Sequence, residues 1–219
     1  MATWKLEDPA ALGGVLTGPA FVSGLAVGLT LAEAPFPRPG ADIEDIQRFF
    51  LGDAVPERIN ISGQCLSALS LAAFTSSAVR LVNGAGGSRG LRLAALLGGA
   101  LATASLLTSA TTAAALTGPA GRDQDKARAL HRLVFTSGGP VHGGGLALLL
   151  AAVGLAGRGT GALPEPLVVA TLTSAAVDAL APLVLIAPKA ALVIPAGRFP
   201  TFVVLGAVGL RLARGVDHR

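Results

Sequence analysis

The stretch "LAALLGGALATASLLTSATTAAALTG", residues 93–118, contains no charged side chain and is bracketed by Arg92 and Arg122. A helix needs about 20 apolar residues to cross a hydrocarbon core of roughly 30 Å, so this run alone predicts a membrane span. Working outward, the same pattern recurs. Residues 10–31 lie between Lys5, Glu7 and Asp8 on one side and Glu33 on the other, and residues 59–79 lie between Arg58 and Arg80. Residues 133–157 run from Arg132 to Arg158, residues 167–188 are interrupted only by Asp178, and residues 199–213 end on Arg211 and Arg214, whose stems can snorkel to headgroups. The expected fold is an all-α polytopic membrane bundle of six spans, at 10–31, 59–79, 93–118, 133–157, 167–188 and 199–213.

Composition agrees. Hydrophobic residues make up 52% of the chain and charged ones 14%, against roughly a quarter in soluble domains. The longest connection, 32–58, leaves no room for a soluble domain, so residues 1–219 read as one transmembrane unit. The net charge of +4 does not point to nucleic acid, because the basic residues sit singly at span ends, where lipid headgroups account for them. The bilayer is the expected surrounding, that of the cytoplasmic (inner) membrane. The link 80–92, with three arginines and no acid, favours both termini inside. "LAEA" at 31–34 resembles a cleavage site, but the apolar run before it is too long for a signal core, and a retained first span is expected. Cys65 is the sole cysteine and reads as a small buried apolar residue.

Small residues predict how the spans meet. Gly14 and Gly18, then Gly24 and Gly28, are two small-xxx-small pairs on the first span, suited to packing within the bundle, to a homodimer or to a partner membrane protein. Asn60, Gln64 and Ser67 share one face of the second span, and Ser105, Thr108, Ser109 and Thr112 share one face of the third. Such groups act as interhelical glue or line a wetted pocket. Residues 42–51 predict an amphipathic interfacial helix, with Asp42 as N-cap, Ile43, Ile46 and Phe50 on one face and Gly52 as stop. It should lie in the headgroup plane, apolar face down, or more sharply form a lid over a cavity.

Two ionisable side chains, His142 and Asp178, fall well inside the predicted spans, and such residues are functional candidates because burying them is costly. His142 is about 14 Å into its span and Asp178 about 15 Å from the same side, at 1.5 Å per residue. The pair is therefore expected at one level. "GGPVHGGG" at 138–145 would let a neighbouring backbone approach, and Pro140 would free a carbonyl one turn earlier; Pro182 loosens the fifth span nearby. A candidate polar site follows, of His142, Asp178 and Gln64, which either titrates or fixes helix register. His131 and His218 sit in charged flanks, where exposure is expected.

No catalytic residue, cofactor or metal ligand set is expected, so the chain does not read as an enzyme. A haem between helices would need a second intramembrane histidine, a serine protease a defined nucleophile turn, and metal hydrolysis two or three clustered ligands.

"RGTGALPEPLVVATLT" (158–173) and "VIPAGRFPTFVVLGAVGLRLARG" (193–215) resemble the carboxy-terminal third of small, uncharacterised six-span integral membrane proteins of actinobacteria. The resemblance implies a "GALP" turn after the fourth span and a "GRFP" turn opening the last. It implies no activity. Two functions stay open: an accessory or assembly subunit whose glycine seams dock partner helices, and a small proton-coupled permease built on His142 and Asp178.

Overall fold

The computed structural model describes residues 6–52, 54–187 and 190–215, and among them the chain is helical with no strand. A 3-10 turn (Pro9–Ala11) leads into α1 (Leu12–Leu31). Then come α2 (Ile43–Leu51), α3 (Ala54–Gly84), α4 (Arg89–Leu116), the short α5 (Pro119–Arg122) and α6 (Gln124–Thr136). A π-helical turn, Ser137–Val141, joins α6 to α7 (His142–Thr160). Next, α8 (Glu165–Asp178) unwinds into a 3-10 turn (Ala181–Leu185), and α9 (Val193–Ala213) closes the fold. Six segments are long and apolar enough to span a membrane: Pro9–Leu31, Ala54–Gly84, Arg89–Leu116, Gln124–Thr160, Glu165–Leu185 and Val193–Ala213.

The spans pack as a ring: α1 on α3, α3 on α4, α4 on α7, α7 on α8, α8 on α9, and α9 back on α1. Close backbone approach makes this possible, because lipid tails supply little hydrophobic force between helices. A Cβ built on Gly24 would lie 2.7 Å from the Cα of Gly63 across the α1–α3 crossing, and one on Gly145 would lie 2.6 Å from the Ala102 nitrogen across α4–α7. The four glycines of the two small-xxx-small pairs on α1 serve two neighbours. Gly14 and Gly18 abut Leu205 and Phe202 of α9, while Gly24 and Gly28 abut Gly63 and Pro56 of α3. Both seams are filled from within the chain. Hydroxyls add bonds: Ser67 donates to the Thr17 carbonyl at 2.9 Å and Ser109 to the Val134 carbonyl at 3.2 Å. Ser105 and Thr108 bond back to their own helix, and Thr108 faces outward.

Several boundaries differ from expectation for one reason: a charge ends an apolar window without ending a helix. The second span starts at Ala54, so Glu57 and Arg58 are helical. The fourth begins at Gln124, because α6 places Ala127, His131 and Val134 on one buried face. Its 37 residues extend about 55 Å, so its first turns project beyond a 30 Å core. The last span starts at Val193, and "GRFP" is helix interior with Pro200 inside it, not a turn. "GALP" is a turn, entered through Gly161 at φ 68°. The end of the fifth predicted span, Pro188, lies outside the described residues.

The apolar face of α2 is covered by protein. Ile43, Ile46, Phe49 and Phe50 pack on Ala113, Leu116, Ala127 and Val134, so α2 caps the bundle end and does not offer that face to lipid. Its N-terminal residue Asp42 makes no side-chain capping bond.

Replacing Gly24 by valine is expected to destabilise the fold by about 1–3 kcal/mol through overpacking. Gly159→Ala, whose Cβ would meet nothing within 4 Å, should be neutral or stabilising by up to about 1 kcal/mol. SDS-titrated unfolding followed by circular dichroism compares the two.

Candidate functional site

An open cavity of about 280 Å3 lies at the α2 end of the bundle, walled by α1, α3, α4, the π-turn and α9. Phe21 and Leu25 of α1, Leu106 of α4, Phe135 and Ile194 give it an apolar body. Its polar groups come from two places.

The first is one face of α3. Glu57, Asn60 and Gln64 follow at i, i+3 and i+7, so they stack along one side of the helix. Glu57 is buried at 2% exposure, in the first turn, where the helix dipole favours an acid. Asn60 Nδ2 donates to both Glu57 carboxyl oxygens at 3.3 Å, and Gln64 Nε2 donates to Asn60 Oδ1 at 3.4 Å. An amide nitrogen only donates. That fixes the direction of the relay and leaves Gln64 Oε1 as its far end, buried and without a hydrogen-bond partner.

The second is Arg198 on α9. Its guanidinium donates to the Gly138 carbonyl, within the π-turn. The same group lies 5.2 Å from the Phe21 ring centroid, a cation–π contact. Its Nε is buried and unpartnered. Ser109 donates to the Val134 carbonyl, which also accepts from the Ser137 N–H, and Arg198 donates to that of Gly138.

Of the polar site expected from sequence, Gln64 lines this cavity, while His142 and Asp178 are not among its lining residues. His142 is fully buried and its Nδ1 donates to the Ala102 carbonyl at 2.8 Å; since that carbonyl can only accept, Nδ1 carries the proton. Its Nε2 has no partner. Asp178 accepts from the Thr201 hydroxyl at 2.7 Å and interacts electrostatically with Arg198. The two backbones do meet, since a Cβ on Gly143 would lie 3.5 Å from the Asp178 carbonyl oxygen. Their side chains turn to other partners, and no hydrogen bond or ion pair joins them. Arg198 acts electrostatically on both.

His131 corrects the expectation of exposure. It is 4% exposed, hydrogen-bonded to the Pro37 carbonyl at 3.3 Å and stacked edge-on with Phe50 at 6.2 Å, because α2 folds over α6. His218 lies outside the described residues. Glu57 and Arg198 were not among the sequence candidates, since each stands where a charge marks the end of an apolar window. The signal for Glu57 was present: it continues the Asn60, Gln64, Ser67 stripe by three residues.

Among the described residues no three His, Cys, Asp or Glu side chains converge as a metal site would require. Comparison with protein-family models, curated proteins and solved structures returned no match, so the residues themselves must say what this cavity holds.

Thr201→Val is expected to cost about 1–3 kcal/mol by leaving the buried Asp178 without its donor. Thr201→Ser, which keeps a hydroxyl donor to Asp178, should recover part of that loss. Unfolding of the two variants in mixed micelles measures the difference.

Proposed function

We propose that this multi-pass membrane protein is a compact permease that takes a small solute into the cavity between α1, α3 and α9. One observation carries the reading: two residues that line a single open cavity, Gln64 and Arg198, each keep a buried polar atom without a partner, the acceptor Oε1 and the donor Nε. Leaving such a group unsatisfied costs about 1–3 kcal/mol. A fold that keeps two of them on residues lining one cavity is suited to a molecule, or water, that supplies the missing bonds.

A route to the surface supports it. Glu57 also borders a second cavity of about 230 Å3, formed with Glu33, Arg48, Phe49 and Pro56 beneath α2. The carboxylate thus stands between an outer vestibule and the inner chamber, with α2 as the roof. Placement is in the cytoplasmic membrane, with both termini inside. An accessory-subunit role through the α1 glycine seams is less well supported, because those seams are occupied by α3 and α9. His142 and Asp178 act as architecture in this reading, holding α4, α7, α8 and α9 in register around Arg198.

The test is cysteine accessibility in sealed membrane vesicles. In a Cys65→Ala background, Gln64→Cys should react with a charged, membrane-impermeant methanethiosulfonate added to either side, whereas Leu71→Cys, in the dry core, should not. Reaction from one side only would leave a binding protein and overturn transport. Reaction from neither side would remove the cavity as a functional site.

A further inference from the structure

We propose that the ligand of this cavity is an organic primary ammonium with an apolar body, its N–H groups held by the Glu57 carboxylate and by Gln64 Oε1. This rests on the cavity reading above and names the chemistry that the site selects.

Charge comes first. Arg198 already has Asp178 as its electrostatic partner, the Gly138 carbonyl as its acceptor and Phe21 beneath it; the acceptor that its Nε lacks is left to water. Glu57 has no such balance. It forms no ion pair among the described residues, and Arg48, across the outer vestibule, pairs with Asp45 at 2.8 Å instead. A buried carboxyl without a cation either keeps a proton or takes a cationic partner, so an occupant that lets Glu57 ionise carries one positive charge.

Direction comes second. Among the described residues the only donor to Glu57 is the Asn60 amide, shared between its two oxygens, so the lone pairs that remain call for donors. The relay ends in a free acceptor at Gln64 Oε1. Both open positions on α3 therefore ask for N–H. A primary ammonium supplies three, a quaternary ammonium none, and an anion meets two acceptors.

Shape comes third. Phe21, Leu25, Leu106 and Phe135 line the rest of the chamber, which requires an apolar remainder, and about 280 Å3 is at the small end of ligand pockets, roughly 300–1,000 Å3. Glu57 is in the first turn of α3, close to headgroup depth. The ammonium can accordingly belong to a free amine from solution or to an aminophospholipid headgroup.

The experiment uses the full chain in phosphatidylcholine nanodiscs with tritiated hexylamine as probe, subtracting binding to empty discs. Saturable binding is expected, competed by unlabelled hexylamine but not by hexanol, hexanoate or the N,N,N-trimethyl analogue. Glu57→Gln and Gln64→Leu should each weaken it about tenfold or more, the loss of one charge-assisted hydrogen bond, with Glu57→Asp retaining part. Equal binding to Glu57→Gln, or equally good competition by hexanoate, overturns the proposal. Because a variant could misfold, protection is read separately, at a cavity residue that gives the ligand no hydrogen bond: in the Cys65→Ala background, hexylamine should slow methanethiosulfonate labelling of Leu25→Cys, with Glu57 and Gln64 intact. Labelling from both sides without protection would sink the ammonium ligand and leave the permease reading standing. Replacing half the lipid by phosphatidylethanolamine separates the sources: loss of hexylamine binding assigns the site to the headgroup, and unchanged binding assigns it to a free amine.

Discussion

Hydrocarbon offers no hydrogen bonds, so any break in a spanning helix must be repaired by the protein itself. The π-turn at Ser137–Val141 is where this fold meets that constraint, and Arg198 is a principal repair. Its guanidinium closes on the Gly138 carbonyl, rests on Phe21 and draws in the field of Asp178. Four parts of the chain, α1, the π-turn, α8 and α9, are thereby tied to one side chain. The cavity lies beside this junction, with Phe21, Gly138 and Arg198 among its lining residues.

That arrangement also divides the buried polar groups into two kinds. His142 and Asp178 are deep: His142 Nδ1 bonds to the Ala102 carbonyl while its Nε2, away from the cavity, has no partner, and Asp178 accepts from Thr201. Glu57, Asn60 and Gln64 form a line of amides and carboxylate whose last atom is left over. A satisfied buried polar group specifies register, and a leftover one at the wall of a cavity specifies chemistry. The difference lies in the neighbours and not in the residue type, and so it cannot be read from either residue alone.

How much of this was legible in the sequence follows from what a one-dimensional pattern encodes. The six spans were legible, because uncharged length is a direct demand of the bilayer. The close approaches at Gly14, Gly18, Gly24 and Gly28 were legible as seams, though not their partners, since spacing on one helix says nothing about which neighbour fills it. Glu57 and Arg198 were hidden by the very rule that found the spans, which reads every charge as an exit from the membrane. His131 was hidden because the cover over it comes from Phe50 and Pro37, far away in the chain. The meeting of the His142 and Asp178 segments was foreshadowed by the depth count, but side-chain direction is set by packing that a depth count does not contain.

The closure of the ring by α9 on α1 has a consequence for how the protein is made. Gly14 and Gly18 enter the membrane with the first helix, yet the residues that fill them, Leu205 and Phe202, belong to the last. At about 5–20 residues per second, synthesis leaves that groove vacant for on the order of 10–40 s while the intervening helices insert. During biogenesis the first helix is therefore a half-built interface, stable against α3 on one side and open on the other. The chain acquires its final shape only when its end has returned to its beginning.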